Sequence, residues 1–348
     1  MNPKYDILEY FQNRWNEVHG KCALSASTVD EFTTWKMSVR KKLTELTGYD
    51  TMKKCDLNPL LLDQKDCGNY TRYHIEIQTE PGVLMPLYVL KPKMGQKPLV
   101  PVIAAHGHCG GGKFAVAGIH VNPQVSDAIR IFNYDYGRQL CEKGFIVFCP
   151  DARGFGERKD PMAPEGFVAQ SCKELNNMAL PLGQTVTGMW AWDLHRLIDY
   201  IETRDDCDGS KLCCAGLSGG GLQTLWASAL DERIRYSVIS GYFYGYKSSL
   251  LDLHCNCSCN YIPHLWEYVD MGDIAALIAP RPLFIETGDE DSLNGLEGMQ
   301  NVLRPLETVK RAYHLFNSES KLKHSVFRGV HKWNGIGVAD WIREQTKD

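Results

Sequence analysis

The sequence lacks the features that mark membrane, exported and nucleic-acid-binding proteins. Among its 348 residues, no uninterrupted apolar run reaches the length needed to cross a bilayer. Its first residues, 1–6, do not have the basic-then-apolar pattern of a signal peptide. Lysine and arginine are scattered among acids, with a formal net charge of −4, so no basic stripe is available for a phosphate backbone. We therefore expect a cytoplasmic protein without a membrane or nucleic-acid partner.

Internal repeats, low-complexity tracts and linkers rich in proline, glycine and serine are also absent. The composition is ordinary for a globular protein, with 44% hydrophobic and 23% charged residues. A chain of this length and composition can bury a sizeable core, which argues against disorder. We expect one main domain with appendages.

Cysteine is the residue in excess, with 13 copies. Several, such as Cys149, Cys213 and Cys214, lie inside apolar runs, where a free thiol behaves as a small hydrophobic side chain. Without an export signal, we do not interpret these cysteines as a disulfide framework. A reducing compartment fits them best.

Three cysteines alternate at Cys255, Cys257 and Cys259, and an extended backbone would point them to one side. Such a set could bind a soft metal. Structural zinc sites, however, usually use Cys-x-x-Cys pairs. The spacing therefore favours packed, reduced thiols, and we predict neither a metal nor a cofactor.

The first part of the chain has helical periodicity. Apolar residues recur at helical spacing in two stretches: Ile7, Leu8, Phe11, Trp15, Val18, and then Phe32, Trp35, Val39, Leu43, Leu46. Thr28 and Glu31 form a candidate capping box before the second stretch. We predict a helical extension over residues 1–66 and a main domain over residues 67–348.

From residue 73 the period changes to that of strands. A hairpin is predicted around 80–82, and buried apolar runs then occur at 100–105, 145–149, 211–216, 236–239 and 283–286. Helical stripes lie between or after these runs, notably over 190–201 and 335–344. This alternation predicts an α/β fold with a mostly parallel central sheet and helices on both faces.

The most informative motif is Gly216-Leu217-Ser218-Gly219-Gly220, which joins a predicted strand to a predicted helix. It fits the Gly-x-Ser-x-Gly nucleophile elbow, in which flanking glycines let the backbone pass close while the serine is held in a strained turn. The alternative is a glycine-rich turn with an incidental serine. A phosphate-binding loop is disfavoured, because no Gly-Lys-Ser/Thr follows.

A second glycine-rich loop, His106-Gly107-His108-Cys109-Gly110, follows an early buried strand. The backbone N–H groups of Gly219 and His108 could together bind a developing oxyanion. The alternatives are a flexible surface loop, or a metal site that uses His106 and His108, although no third ligand is placed nearby by the sequence. We expect His106 to hold the loop by hydrogen bonds.

A serine hydroxyl needs a base, and the base needs an acid to orient it. Late in the chain, His331 is the one histidine on a loop after a predicted strand, whereas His324 begins that strand and His314 lies in a helix-like stretch. Two aspartates, Asp289 and Asp291, follow the strand that ends at Gly288. The residues alone leave the choice between these acids open.

With these motifs assembled, the chain resembles the α/β-hydrolase superfamily, and within it the acetyl xylan esterase-like and dienelactone hydrolase-like branch. The resemblance covers about residues 73–342 and includes the Pro-Asp-x-Arg-Gly-x-Gly turn at 150–156 and the segment 273–283. It implies an α/β-hydrolase fold and favours Asp291 as the triad acid, three residues after Gly288, with Asp289 as the alternative. Ser218 would be the nucleophile and His331 the base.

The same resemblance implies a serine hydrolase of the carboxylesterase or acetyl esterase type. Its substrate would be a small-molecule ester with a short acyl chain, on this resemblance an acetylated sugar, and turnover would pass through an acyl-enzyme. Dienelactone hydrolases proper carry a cysteine nucleophile, so Ser218 moves the expectation toward esters. A non-catalytic hydrolase-like binding protein and a peptidase or lactone hydrolase on this fold are the alternatives, and a homo-oligomer is left open.

Overall fold

The computed structural model describes residues 6–95, 98–163, 165–166 and 168–347. Residues 1–5, on which the signal-peptide prediction depends, lie outside this range. The start of the predicted 1–66 unit and the end of the predicted 67–348 unit, residue 348, therefore lie outside it too. Within it, no helix is both long enough and apolar enough to cross a membrane.

The described residues form a nine-stranded mixed sheet in the order β1-β2-β3-β5-β4-β6-β7-β8-β9. The strands are β1 Leu60–Asp66, β2 Tyr70–Glu80, β3 Val83–Pro92, β4 Pro101–Ala105, β5 Ile146–Pro150, β6 Cys213–Leu217, β7 Tyr236–Ser240, β8 Leu283–Gly288 and β9 Leu322–Phe327. The first three are antiparallel, and β3 pairs antiparallel with β5. The remaining pairs are parallel. The predicted hairpin and the predicted mostly parallel sheet are confirmed.

Helices precede the sheet, connect its parallel strands and follow its last strand. They are α1 Leu8–Val18, α2 Val29–Thr47, α3 Lys113–Val116, α4 Pro123–Phe132, α5 Tyr136–Glu142, α6 Cys172–Ala179, α7 Val186–Glu202, α8 Gly219–Leu230, α9 Leu265–Tyr268, α10 Met271–Ala276, α11 Met299–Leu315 and α12 Val338–Gln345. This element order and sheet topology give the α/β-hydrolase fold.

Both faces of the sheet are covered, as the continuous apolar runs predict. Successive residues of β4 enter different cores: Val102 packs with residues of α5 and α12, whereas Ile103 packs with residues of α7. All five residues of β4 and of β6 are buried. Because strand side chains alternate between faces, such full burial requires helices on both sides.

The N-terminal helices share one core with the helices behind the sheet. Phe32 and Leu43 are fully buried and belong to the same cluster as Trp190 of α7 and Trp226 of α8. Thr28 caps α2 by accepting a hydrogen bond from the Glu31 N–H, as expected. The Glu31 carboxylate, however, accepts from the Ser27 N–H, one residue before the cap.

Helical structure ends before the predicted boundary at residue 66. The last helical turn of this region is Tyr49–Thr51, and the final seven residues form β1, which pairs with β2 at the sheet edge. Every β1 residue is exposed. Such an edge strand buries no apolar face, so its sequence carries no clear period of two.

Candidate active site

Ser218 occupies a strained turn between β6 and α8, where the elbow motif placed it. Its backbone has φ 60° and ψ −120°, a conformation that non-glycine residues rarely adopt. Its N–H donates to the Ser240 carbonyl at the end of β7. A Cβ at Gly216 would overlap the backbone of Gly220, and one at Gly220 would overlap the Ala105 carbonyl. The two motif glycines therefore permit the close passage that holds the turn.

His331 and Asp291 form a close pair. His331 Nδ1 lies 2.6 Å from Asp291 Oδ2, and the aspartate side chain is 2% exposed. Asp291 Oδ1 accepts from the Leu293 N–H. Asp289 points elsewhere and accepts from the Gly329 N–H in the loop that leads to His331. Of the two candidate acids, the structure thus brings Asp291 to the histidine.

Ser240 and Gly241 connect this pair to the elbow. The Ser240 carbonyl accepts from the Ser218 N–H, and a Cβ on Gly241 would lie 3.0 Å from His331 Cε1. Ser218 therefore contacts Ser240, and His331 lies beside the next residue, Gly241. Ser218 and His331 are both half-buried. Among the residues that the structure describes, no hydrogen bond joins Ser218 Oγ to His331 Nε2.

The glycine-rich loop after β4 lies against the first residue of α8. A Cβ on Gly219 would lie 2.7 Å from His108 Nδ1, and one on Gly107 would lie 3.0 Å from the Gly219 amide nitrogen. No acceptor for the N–H groups of Gly219 and His108 occurs among residues 6–95, 98–163, 165–166 and 168–347. The Gly219 N–H also stands at the positive end of the α8 dipole.

His106 holds this loop, as expected. The buried ring accepts from the Ala152 N–H through Nε2, and Gln223 donates to its carbonyl oxygen. Desolvation by burial lowers the pKa of His106, which favours the neutral ring that can accept this bond. Tyr134 donates to the His108 carbonyl at 2.9 Å. The loop is thus fixed by hydrogen bonds from three separate segments of the chain.

The family turn at 150–156 supports the far end of the same loop. Asp151 is fully buried and accepts from both the backbone N–H and the Nζ of Lys113, at 2.7 and 2.6 Å. Lys113 is the first residue after the glycines. A buried carboxylate paired in this way is strongly oriented, although such a pair adds little net stability.

Sequence reasoning missed Glu286, the fourth residue of β8. It is fully buried, and its carboxylate accepts from Ser240 Oγ and from the N–H groups of Asn334 and Gly335. Burial raises its pKa. A charged residue inside an apolar strand was the available signal, because acids are rarely buried without a role.

The remaining late histidines are placed as predicted. His324 lies within β9 and contacts Thr287 Oγ1 at 3.1 Å, whereas His314 is exposed on α11 beside Glu319. Of these three late histidines, His331 is the one that lies beside Gly241, the residue after the Ser240 carbonyl that accepts from the Ser218 N–H.

The cysteine segment departs from the extended geometry considered above. Residues Ser258–Asn260 form a 3₁₀ turn, and Cys255 is exposed. Cys257 and Cys259 instead lie beside Cys172 and His108. All 13 cysteines are free thiols.

A strained serine at a strand-to-helix turn, above a mostly parallel sheet of this order, defines the class of α/β-hydrolase fold proteins. The sequence profile of the Abhydrolase family matches residues 9–248, more than half of the chain. The chain therefore belongs to the Abhydrolase family.

Three known proteins are similar to this chain, one in sequence and two in structure. A protein of Bacillus subtilis (strain 168) named as a hydrolase, YtaP, is 28% identical over 264 residues, which cover 71% of this chain and 83% of its own. A Bacteroides fragilis NCTC 9343 protein named as an acetyl xylan esterase superposes with a TM-score of 0.80 at 17% identity, covering 98% of this chain and 95% of its own. A glucuronoyl esterase from Solibacter usitatus gives 0.71 at 15% identity, covering 94% and 97%.

Proposed function

We propose that this protein is a serine-dependent carboxylic ester hydrolase that acts on short-chain esters, with acetyl esters of sugars as the substrate class. Ser218 is the nucleophile, His331 the base and Asp291 the residue that orients the base. The N–H groups of Gly219 and His108 form the oxyanion hole.

The observation that carries this proposal is the 2.6 Å contact between His331 Nδ1 and Asp291 Oδ2 beside the strained Ser218 turn. An aspartate that accepts from Nδ1–H leaves Nε2 unprotonated, which is the tautomer that can take a proton from a serine hydroxyl. The strain at Ser218 also has a purpose in this assignment, since it exposes the hydroxyl above the sheet.

The reaction proceeds in two steps on this arrangement. Ser218 Oγ attacks the ester carbonyl while His331 Nε2 takes the hydroxyl proton, and the resulting oxyanion accepts from the two backbone N–H groups. His331 then gives the proton to the leaving alcohol, and an acyl-enzyme remains. A water that loses its proton to His331 attacks the acyl group. His331 then returns this proton to Ser218 Oγ as the acyl–oxygen bond breaks and the acid is released.

The names of the structural neighbours support the substrate class. One is named as an acetyl xylan esterase and another as a glucuronoyl esterase. The first name describes an acyl group removed from a sugar, and the second describes a sugar acid that itself provides the acyl group. We favour the acetyl ester, because the protein named as an acetyl xylan esterase superposes with the higher TM-score.

A fluorophosphonate probe tests the nucleophile, because it labels only an activated serine. We expect stoichiometric labelling of the wild-type chain and none of Ser218→Ala, with Ser210→Ala as the control for an exposed serine outside the site. The Ser218→Ala chain should keep its thermal unfolding midpoint. Equal labelling of both chains, or none of the wild type, would refute the assignment.

The substrate class is tested separately with ester panels. p-Nitrophenyl acetate should be hydrolysed faster than the octanoate ester, and acetylated xylose faster than a methyl glucuronate ester. Preference for the octanoate ester would displace the short-chain assignment, and preference for the glucuronate would place the sugar on the acyl side. Neither result would affect the Ser218 chemistry.

A further inference from the structure

Four potential metal ligands from separate parts of the chain meet beside the glycine-rich loop. His108 follows β4, Cys172 begins α6, and Cys257 and Cys259 lie between β7 and α9. Their ligand atoms all lie within 4.8 Å of one another. Cys172 and Cys259 are each only 1% exposed. These three segments are far apart in the sequence, so the cluster is created by the fold.

Two distances inside the cluster, from the imidazole to two of the thiols, match those of a tetrahedral metal site. With Zn–S near 2.3 Å and Zn–N near 2.0 Å, tetrahedral geometry separates sulfur and nitrogen ligand atoms by about 3.5 Å. His108 Nε2 lies 3.7 Å from Cys172 Sγ and 3.5 Å from Cys259 Sγ. A ring nitrogen that faces two sulfurs at these distances leaves room for an ion between them.

The chemistry of the cluster selects among metals. Three thiols and one imidazole, with no carboxylate, form the Cys₃His set that is used for structural zinc, whereas calcium and magnesium require oxygen ligands. The surroundings also suit thiolates. Asn260 Nδ2 lies 3.6 Å from Cys259 Sγ as a donor, and the rings of Phe155 and Trp190 cover the His108 ring. Such neighbours exclude water and stabilise charge on sulfur.

We propose that His108, Cys172, Cys257 and Cys259 bind one Zn²⁺ ion, which links the glycine-rich loop to α6 and to the segment before α9. The spacing of the cysteines along the chain does not reveal this site, because two of its ligands come from distant loops. The site is closed by four protein ligands, so its role is structural.

The site has a consequence for the active centre, which rests on the proposed function. A metal on Nε2 forces the His108 proton onto Nδ1, the ring nitrogen that faces Gly219. Zinc would thus fix the position of the His108 backbone. It would also place the Nδ1–H of the His108 ring beside the two backbone N–H groups of the oxyanion hole. Metal content is measured independently of turnover, so either proposal can fail alone.

Elemental analysis of the full chain tests the site directly. Protein without an affinity tag, purified in reductant from zinc-supplemented medium, should contain one zinc per chain, and chelated protein should regain one equivalent in dialysis against Zn²⁺. Cobalt substitution should add thiolate-to-cobalt charge-transfer absorption. Metal-free protein that takes up no added zinc, or cobalt without a thiolate band, would overturn the proposal.

Matched serine variants identify the ligands. Cys257→Ser should weaken zinc binding by about 100-fold or more, whereas Cys255→Ser, two residues away and exposed, should bind as the wild type does. Cys172→Ser provides a ligand test in another loop. Equal zinc affinity in Cys257→Ser and Cys255→Ser, with both chains folded by circular dichroism, would contradict the ligand assignment.

Discussion

Glu286 Oε1 accepts a hydrogen bond from the Gly335 N–H at 2.8 Å, which ties the end of β8 to the loop that follows His331. The other oxygen, Oε2, accepts from the Asn334 N–H and from Ser240 Oγ. One buried carboxylate therefore joins β8, the end of β7 and the loop that follows His331.

Glu286→Gln should impair positioning of His331. The glutamine amide has one oxygen, so it can accept from only one of the two backbone N–H groups. Its NH₂ group would face the other N–H, which leaves a buried donor unsatisfied. We expect kcat to fall about 10- to 100-fold with little change in KM. Steady-state kinetics with a short p-nitrophenyl ester, beside the exposed control Glu290→Gln, would measure this. A purely structural role would instead lower the unfolding temperature and leave kcat per folded chain unchanged.

Asp291→Asn should cost far more activity than Asp289→Asn. An asparagine at 291 can donate to Nδ1 and so stabilise the wrong tautomer of His331, an exchange that costs about 10⁴-fold in kcat in serine proteases. Asp289→Asn keeps an oxygen that can accept from the Gly329 N–H, so we expect a change of a few-fold at most. The two kcat values under identical conditions decide between the acids. A larger loss at 289 would reverse the assignment.

Gly220→Ala should disrupt the elbow. The added methyl would overlap the Ala105 carbonyl oxygen, which is backbone of a central strand and cannot move aside. Overpacking at such a place costs about 3 kcal/mol or more of unfolding free energy. Gly209→Ala is the matched control, because its Cβ would meet only Glu202 Cγ at 3.8 Å. Denaturant unfolding of the two variants gives the comparison, and equal stability would contradict the close passage.

Acid should destabilise the fold partly through His324. Burial lowers its pKa from 6.5 to about 4. Between these values the unfolded chain binds the proton and the folded chain does not. The unfolding free energy therefore rises with pH in this window and is lost as pH falls from 6.5 toward 4. At pH 4 the titration of His324 has removed about 2–3 kcal/mol of the unfolding free energy that is present above pH 6.5.

His324→Gln tests the pH effect because glutamine cannot take up the proton. Its unfolding free energy should fall less between pH 7 and pH 4 than that of the wild type, by about 2 kcal/mol. The control is His314→Gln, since His314 is exposed on α11. If the unfolding free energies of the wild type and both variants changed equally with pH, His324 would have the same pKa in the folded and unfolded chains, which would contradict the prediction.

Local sequence patterns were sufficient for the parts of this protein that depend on short-range geometry. The buried runs predicted strands β4 to β8, because a strand covered on both faces must be apolar at every position. The Gly216 to Gly220 motif predicted the turn at Ser218, because only glycine permits such close backbone passage. The position of His331 on a loop after a strand was also readable from the local pattern, and its role as the base stays a prediction.

Tertiary structure decided what depends on contacts between distant segments. The pairing of Asp291 rather than Asp289 with His331 depends on the direction of one loop. For Glu286 the sequence offers only an acid inside an apolar strand, and its partners in the histidine loop come from a distant segment. Cys257 and Cys259 are neighbours in sequence, yet Cys172 and His108 join them only because three connections converge above the sheet. Local propensity acts over a few residues, whereas such convergence is fixed by the packing of the whole chain.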